Sequence, residues 1–199
     1  MSGAAPGSSR PLTAAEWVGR FSRGDPPIGS AGAAVTLVLR DGSADVEVLL
    51  IERAVSPEDP GSGQVALPGG RVAGRDASLA ATAVRELEEE VGLATSDLVG
   101  PLRFVRTRAA ARFGLQVAVF AGVIAVEGGP PVRRSPREVA HVFWFPQGRL
   151  AHVRWVPAET DRRASEVPAS VFEGHVVWGF TRRVLLDFFG YPVDGDRPE

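Results

Sequence analysis

The chain has 199 residues, 44% of them hydrophobic, which is enough for one well-filled core and suits a single domain. Its formal net charge of −2 and its pI near 6.0 argue against a general nucleic-acid binder. The sequence has no Cys and no Lys, which excludes disulfides, Cys-type zinc sites and lysine chemistry, so that Arg must bind any phosphate.

The sequence predicts no membrane partner. No apolar run reaches 18 residues, and the N-terminal MSGAAPGSSRPL lacks the basic start and apolar core of a signal peptide. We therefore expect a soluble, cytoplasmic protein. Residues 1–11 are rich in Gly, Ser, Ala and Pro and are predicted to be a disordered tail. We expect a single domain over residues 12–190 and a frayed end over residues 191–199.

The first part of the chain predicts a short helix followed by a hairpin. Residues 12–22 have a helical pattern that Thr13 can open. Residues 33–39 and 46–52 are β-branched and aliphatic, and the intervening DGSAD is typical of a hairpin turn. The Pro- and Gly-rich residues 53–63 are predicted to be a loop that is free to contact a ligand.

The second half of the chain predicts further strands and one more helix. Residues 98–107 and 115–126 are predicted to be strands, the second of them too long and too apolar to be exposed. Residues 176–189 have apolar residues at helical spacing and are predicted to pack as a C-terminal helix. Opposite the apolar face of that helix lie Arg182 and Arg183.

A basic segment precedes the long apolar strand predicted over residues 115–126. Its pattern fits a solvated turn as well as it fits a phosphate-binding loop, because Arg serves in both. The sequence alone leaves these two interpretations open. The arginines of the segment are Arg103, Arg106, Arg108 and Arg112.

The stretch over residues 69–93 carries the strongest functional signal. A Gly-Gly turn leads into residues 78–91, which contain no Gly or Pro and have apolar residues at helical spacing. Asp76 or Ser78 can cap the start of this predicted helix, and Gly92 can end it. The apolar face consists of Leu79, Ala83, Val84, Leu87 and Val91.

The same helix carries a concentration of negative charge. Glu86 and Glu90 are four residues apart with Glu89 between them, so the three carboxylates share one face. Like charges at this spacing repel by about 0.2–0.5 kcal/mol per pair, and carboxylates in a last turn oppose the helix dipole by about 0.3–1 kcal/mol each. Arg85 can pair with Glu89, but one guanidinium cannot neutralise the whole group. A hard cation such as Mg²⁺ could do so, and a solvated acidic face is the alternative.

The spacing of these residues resembles a known family signature. Gly70, Asp76 and Arg85-Glu86-Leu87-x-Glu89-Glu90-x-Gly92-Leu93 resemble the Nudix box, Gly-x5-Glu-x7-Arg-Glu-U-x-Glu-Glu-x-Gly-U, where U is aliphatic. Two departures are visible, because Asp76 stands where the pattern has Glu and eight residues instead of seven separate it from Arg85. The resemblance implies an α/β (α+β) fold, the Nudix αβα sandwich with a mixed β-sheet.

The resemblance also implies the residues of the site. Glu86, Glu89 and Glu90 would bind Mg²⁺ or Mn²⁺, and Gly70 would add a backbone carbonyl. Glu138, which precedes the Trp-x-Pro strand ending at residue 146, would supply a further carboxylate. Either Glu89 or Glu138 would then be the general base. The other expected site residues are Arg85 as a catalytic group, and Arg53, Gly69, Arg106 and Arg112 as substrate contacts.

The expected reaction is metal-dependent hydrolysis of a pyrophosphate linkage in a small nucleotide. Such a linkage is doubly anionic, so hydrolysis needs charge neutralisation, a nucleophilic water and a leaving phosphate held in line. Bound Mg²⁺ neutralises charge and helps to activate water, while a further carboxylate takes the proton. The three His residues, His141, His152 and His175, lie outside the box, so we expect a carboxylate base.

A second resemblance concerns the substrate. Leu49-Leu50-x-x-Arg53-Ala54, Gly63-Gln64-Val65-x-Leu67-Pro68-Gly69-Gly70 and Trp178-Gly179-Phe180-Thr181 are similar to motifs of the coenzyme A diphosphatases, whose longer box also explains the additional residue before Arg85. Leu67 replaces a Phe, the loop is one residue longer, and Glu58 and Asp59 stand where the pattern has an Arg. The implied substrate is CoA or acyl-CoA, cut to 3′,5′-ADP and (acyl-)4′-phosphopantetheine.

Two other classes of protein remain open at this point. A Nudix hydrolase of ADP-ribose, NADH or another nucleoside diphosphate derivative would share the box but have no use for the coenzyme A motifs. A non-catalytic Nudix binding module would normally have lost box glutamates, whereas this sequence keeps Glu86, Glu89 and Glu90. A homodimer is compatible with each of these interpretations.

Overall fold

The computed structural model describes residues 10–57, 61–124, 135–160 and 163–192. The predicted tails, the last two residues of the strand predicted over 115–126, and the acidic pair Glu58 and Asp59 lie wholly or partly outside these described residues. Within the described ranges, no helix is both long enough and apolar enough to cross a membrane.

The predicted first helix and hairpin are both confirmed. Helix α1 spans Ala14–Gly19 and begins with a capping box, in which Thr13 accepts from the backbone N–H of Glu16 and the Glu16 carboxylate accepts from that of Thr13. Strands β1 (Ala33–Asp41) and β2 (Val46–Arg53) pair antiparallel. The alternating and aliphatic patterns therefore predicted these elements correctly.

In the described part of the chain, seven strands form one mixed sheet. Strand β1 pairs parallel with β6, and the other pairs in this sheet are antiparallel. The path runs β3-β2-β1-β6-β5, with β4 paired to β1 and β7 paired to β2. The remaining strands of this sheet are β3 (Val65–Ala66), β4 (Gly69–Arg71), β5 (Arg103–Ala110), β6 (Leu115–Val123) and β7 (Val139–Pro146).

The two central strands separate towards one end of the sheet. Strand β1 pairs with β2 from Leu39 onwards, whereas its first residues pair with β4 instead. Strand β2 pairs with β3 at Ile51 and Glu52. The segment between β3 and β4 therefore passes from β2 to β1 where these two strands have separated. This places the Gly-Gly turn at the end of the sheet where β1 begins.

Helices cover both faces of the sheet. Helix α2 (Leu79–Val91) packs on the face that carries Val38, Leu49 and Ile51, while α1 and α3 (Gly179–Phe189) pack on the face that carries residues such as Leu37 and Leu50. Side chains alternate between the faces along each strand, so consecutive apolar residues serve two separate cores. The expected three-layer fold with a mixed sheet is confirmed.

The structure corrects the prediction for the C-terminal region. The predicted helix over 176–189 begins only at Gly179, because strand β10 (His175–Trp178) occupies its first residues. The apolar residues 176–178 fit the spacing of a strand as well as that of a helix. Gly179, with a φ of +60°, separates strand β10 from the helix. Two strands that we did not predict, β8 (Arg154–Thr160) and β9 (Arg163–Phe172), join β10 in an antiparallel sheet.

Arg182 is buried, whereas the helical pattern predicted that it would lie opposite the apolar face of the C-terminal helix. Its side chain in α3 is among the largest fully buried ones, at 2% exposure. The guanidinium donates through Nε to Ser170 Oγ at 3.0 Å and through a terminal nitrogen to the Leu150 carbonyl at 3.2 Å. These bonds offset the desolvation of the charge and attach α3 to the smaller sheet.

Candidate active site

Local sequence signals position the box helix. Ser78 caps α2 by accepting from the backbone N–H of Ala81 at 3.1 Å, and Gly92 ends the helix in the left-handed conformation at φ 72°. Of the two predicted N-caps, Ser78 therefore fills the position. The apolar residues bury one face of α2 against the sheet, so Glu86 and Glu89 remain on its accessible side.

The Gly-Gly turn contacts two of the box carboxylates. Gly69 has a φ of +152° and donates its N–H to Glu90 Oε2 at 2.9 Å. A Cβ on Gly69 would lie 2.6 Å from Val35 Cα, and a Cβ on Gly70 would lie 2.5 Å from the Glu86 carboxyl carbon. Glycine is therefore required at Gly69, where the backbone has positive φ and a Cβ would meet the β1 main chain, whereas a side chain at Gly70 would displace the carboxylate of Glu86.

Glu90 is the most buried carboxylate of the site, at 3% exposure. Burial raises its pKa to about 8, and the negative charges of Glu86 and Glu138 add to the rise, while the N–H of Gly69 opposes it. Burial also raises the pKa of Glu86, against the opposing effect of Arg85. At neutral pH the metal-free protein therefore holds a proton on Glu90, which a bound cation would displace.

The stability of the metal-free protein should depend on this proton. Because the pKa of Glu90 is about 8 when folded and 4.5 when unfolded, the stabilising effect of protonation is complete below about pH 4.5 and is lost as the pH rises through about 8. Glu90→Gln keeps an acceptor for Gly69 and removes this dependence. In EDTA at pH 8.5 the variant should be more stable than wild type by about 1–3 kcal/mol, with the difference shrinking towards pH 5.

Urea unfolding at both pH values measures this effect. Glu89→Gln is the matched control, because Glu89 is half exposed and already paired with two arginines. The stability of Glu89→Gln relative to wild type should not rise in the same way between pH 5 and pH 8.5. Saturating Mg²⁺ should stabilise wild type more than Glu90→Gln. A Glu90→Gln protein that is less stable than wild type in EDTA at pH 8.5 would contradict the assignment.

Arg85 binds three carboxylates of the site. We call Arg85, Asp76, Glu86 and Glu89 the Arg85 cluster. Arg85 Nε and one terminal nitrogen bind the two oxygens of Asp76 at 3.0 Å each, and the other terminal nitrogen binds Glu86 at 2.7 Å and Glu89 at 3.0 Å. A fifth bond goes to the Arg71 carbonyl at 3.0 Å, so all five N–H groups of the guanidinium are used.

These contacts give the carboxylates more compensation than the sequence alone indicated. Arg85 binds Asp76, Glu86 and Glu89, Arg75 adds a bond to Glu89 at 2.9 Å, and Glu90 is protonated near neutral pH. Two guanidinium groups therefore face the three carboxylates of the Arg85 cluster, which leaves negative charge that a cation would neutralise.

The donor set also fits a hard cation. Glu86, Glu89, Glu90 and the carbonyls of the Gly-Gly turn offer only oxygen ligands, which Mg²⁺ and Mn²⁺ prefer. Among the residues that the structure describes, no three Asp, Glu or His side chains already converge closely enough to hold an ion. Glu86 and Glu89 are bound by Arg85 instead, so metal binding would exchange some of the arginine contacts for the cation.

Asp76 has a defined place in the Arg85 cluster. It accepts from the Ala73 N–H at 2.8 Å and from the Thr82 hydroxyl at 2.9 Å, in addition to Arg85. These bonds, led by those from Arg85, hold the pKa of its carboxyl well below the usual range. The sequence alone left the role of Asp76 open. The sequence feature that could have indicated an ion pair is Arg85, nine residues further along the chain.

Asp76→Asn should weaken this cluster. The substitution removes the charge that holds Arg85, and its side chain is only 3% exposed, so we expect a loss of about 1–3 kcal/mol in unfolding free energy. Asp97→Asn is the matched control, since Asp97 accepts the Ala94 N–H at 2.8 Å in the same local geometry. Urea unfolding should show a clearly smaller loss for the control. An equal loss of unfolding free energy in the two variants would show that Asp76 contributes only through its turn and not through Arg85.

Arg53 and Glu138 join the box at one end of the sheet. A register shift between Glu52 and Arg53 interrupts the β2–β7 pairing, and Ala54 N–H donates to the Glu138 carbonyl at 2.8 Å. Glu138 is exposed and accepts from the Ser135 hydroxyl at 2.9 Å. The negative charge of Glu138 raises the pKa of Glu90 and the positive charge of Arg53 lowers it, so both lie near that carboxylate.

One of the predicted substrate contacts, Arg106, lies on another face of the sheet. Arg106 pairs with Asp187 of α3, as does Arg108 at 3.0 Å, on the sheet face opposite α2. The attraction of Asp187 therefore places Arg106 outside the candidate site. Arg112 is exposed in the turn between β5 and β6, at the end of the sheet where β1 begins and where Gly69 and Gly70 pair with β1, so its role as a substrate contact stays a prediction.

A mixed sheet between helical layers, with a Gly-Gly turn against the glutamates of a capped helix, is the arrangement expected for a Nudix protein. The sequence pattern of the NUDIX domain matches residues 31–165, so this chain belongs to the Nudix family. The "Uncharacterized Nudix hydrolase NudL" of Escherichia coli strain SMS-3-5 is 37% identical to it over 131 residues. That match covers 63% of this chain and 65% of the relative, so the chain spans less than two thirds of the relative's length.

Solved structures show the same fold. A MutT/nudix family protein from Enterococcus faecalis matches 94% of this chain and 64% of its own, with a TM-score of 0.55 and 16% identity. A NUDIX hydrolase from Alicyclobacillus acidocaldarius matches 61% of this chain and 81% of its own, with a TM-score of 0.50 and 22% identity. At these identities the similarity concerns the fold.

Proposed function

We propose that this protein hydrolyses the pyrophosphate linkage of CoA or acyl-CoA with Mg²⁺ or Mn²⁺, giving 3′,5′-ADP and (acyl-)4′-phosphopantetheine. One observation carries the hydrolase proposal. The three box glutamates, the Gly-Gly turn, Arg53 and Glu138 come from separate parts of the chain, and they are gathered at one end of the sheet. Proximity of acidic and basic groups from several segments supports chemistry on a bound polyanion at this end of the sheet.

Each of these groups has a distinct role in the proposed reaction. Glu86, Glu89 and Glu90, with the Gly70 carbonyl, would hold the cation, which supplies charge neutralisation and a more acidic water. Arg85 fixes the direction of Glu86 and Glu89 before substrate arrives. Glu89 and Glu138 are exposed, unlike Glu90, so these two carboxylates remain the candidates for taking the proton from the attacking water.

The coenzyme A assignment is supported by where its motifs meet. Arg53 donates its backbone N–H to the Gln64 carbonyl at 3.0 Å, which joins the first two motif segments. Thr181, from the C-terminal motif, donates its hydroxyl to the Val65 carbonyl at 3.0 Å. The motifs thus form one contiguous region beside the box, where Arg53 would contact a phosphate of the substrate through its guanidinium.

A substrate screen tests this proposal. CoA, acetyl-CoA, ADP-ribose, NADH and the dNTPs are incubated separately with Mg²⁺ or Mn²⁺, and the products are identified by mass. We expect the highest kcat/KM for CoA or acetyl-CoA. Turnover of ADP-ribose far above CoA would place the protein with the hydrolases of nucleoside diphosphate derivatives. Binding without turnover of any compound would indicate a non-catalytic module.

A further inference from the structure

A single buried hydroxyl joins the C-terminal helix to the segment that precedes the Gly-Gly turn. Thr181 lies in the first turn of α3 and is 6% exposed. Its Oγ1 donates to the backbone carbonyl of Val65 at 3.0 Å, across 116 residues of sequence. The bond therefore connects two distant parts of the chain at the edge of the candidate site.

The register of the sheet shows why this carbonyl needs a donor. Arg53 N–H donates to the Gln64 carbonyl, which continues the β2–β3 register by one residue, while Gln64 N–H donates to the Gly61 carbonyl. The main-chain N–H and C=O groups of successive residues point to opposite sides of a strand. The N–H and C=O of the next residue, Val65, therefore point away from β2. In the described sheets β3 pairs with β2 alone. Thr181 supplies the donor that a neighbouring strand would otherwise provide.

We propose that Thr181 is a positioning residue for substrate binding, acting through Val65 on the backbone pair of Gln64 and Arg53. Strand β3 has only two residues and two paired positions with β2, so one additional buried hydrogen bond is a large part of what holds it. This inference rests on the proposed function, in which Arg53 contacts a phosphate of the substrate.

The catalytic end of the same segment is held independently of Thr181. Gly69 and Gly70 pair with Val35 and Ala34 of β1, and Thr36 N–H donates to the Pro68 carbonyl at 2.9 Å. Loss of the Thr181 hydroxyl therefore loosens β3 and Arg53 while the Gly-Gly turn stays against the box helix. The consequence is weaker substrate binding with little change in the chemical step.

The test compares Thr181→Val with Thr181→Ser and with a matched control, Ser170→Ala. Thr181→Val removes the hydroxyl, and Thr181→Ser keeps it. Ser170→Ala removes another buried bond between α3 and its surroundings, the 3.0 Å contact with Arg182. With CoA and Mg²⁺, Thr181→Val should raise KM about three- to tenfold with kcat within about twofold. Thr181→Ser should restore KM, and Ser170→Ala should leave it unchanged although it lowers stability.

Amide hydrogen exchange supplies a readout that does not depend on turnover. The Arg53 amide should exchange faster in Thr181→Val than in wild type, and at the wild-type rate in Ser170→Ala. Thr181→Ala is the second variant without a hydroxyl, for use if Thr181→Val does not fold. An unchanged Arg53 exchange rate, or a KM that rises equally in Ser170→Ala, overturns the inference. Absence of turnover in wild type refutes the proposed function instead, and the exchange result still decides the role of Thr181.

Discussion

Replacing Glu89 or Glu90 by Gln is expected to lower kcat at least about a hundredfold while the fold stays intact, which corresponds to about 2.7 kcal/mol of lost transition-state stabilisation. Each substitution removes one of the charges that would hold the cation against the substrate. Steady-state hydrolysis of CoA at saturating Mg²⁺ measures the effect, and circular dichroism checks the fold.

Glu88→Gln is the matched control for these variants. Glu88 is a neighbour on the same helix and is exposed, but it points away from Glu86 and Glu90. Its substitution removes the same charge from the same turn and should leave the rate within about twofold. Full activity in Glu89→Gln or in Glu90→Gln, or a rate that EDTA does not change, would show that these carboxylates do not hold a catalytic metal.

Arg53→Ala should reduce kcat/KM for CoA about ten- to hundredfold more than for ADP-ribose or NADH. The expected size follows from a charge-assisted hydrogen bond to phosphate, which contributes about 1.5–3 kcal/mol. ADP-ribose and NADH lack the 3′-phosphate of CoA, so they should lose less when the guanidinium is removed. The measurement is kcat/KM for all three substrates under the same metal concentration.

Arg106→Ala provides the comparison for this experiment. Arg106 was also predicted to contact substrate, but it pairs with Asp187 on the sheet face opposite α2. Replacement of Arg106 by Ala should change kcat/KM for the three substrates to the same small extent. Equal losses on CoA, ADP-ribose and NADH in Arg53→Ala would leave Arg53 a structural residue of the β2 end and remove the main support for the coenzyme A assignment.

Local signals made the box helix predictable. Its apolar spacing, its Ser cap and its terminal Gly each act within one or two turns, and the structure places all three as expected. The first hairpin followed from two aliphatic runs around a turn-forming sequence. The spacing of the glutamates also predicted one shared helix face, because that geometry depends on the helix alone.

Contacts between distant segments could not be predicted in the same way. Strands β8 and β9 depend on each other and on β10, and their apolar content is too low to signal a buried strand. The burial of Arg182 depends on acceptors at Ser170 and Leu150, which only the folded chain brings near. The Arg85 cluster was underestimated for the same reason, since Asp76 and Arg75 come from the loop before the helix.

The most direct test of the proposed function is CoA hydrolysis in ¹⁸O-labelled water with Mg²⁺, with the products resolved by mass. Water attack at a phosphorus of the pyrophosphate places one ¹⁸O atom in a phosphate of either 3′,5′-ADP or 4′-phosphopantetheine, and EDTA should abolish both products. Products without ¹⁸O, cleavage at another bond of CoA, or the same yield of product in EDTA would contradict metal-dependent pyrophosphate hydrolysis by this protein.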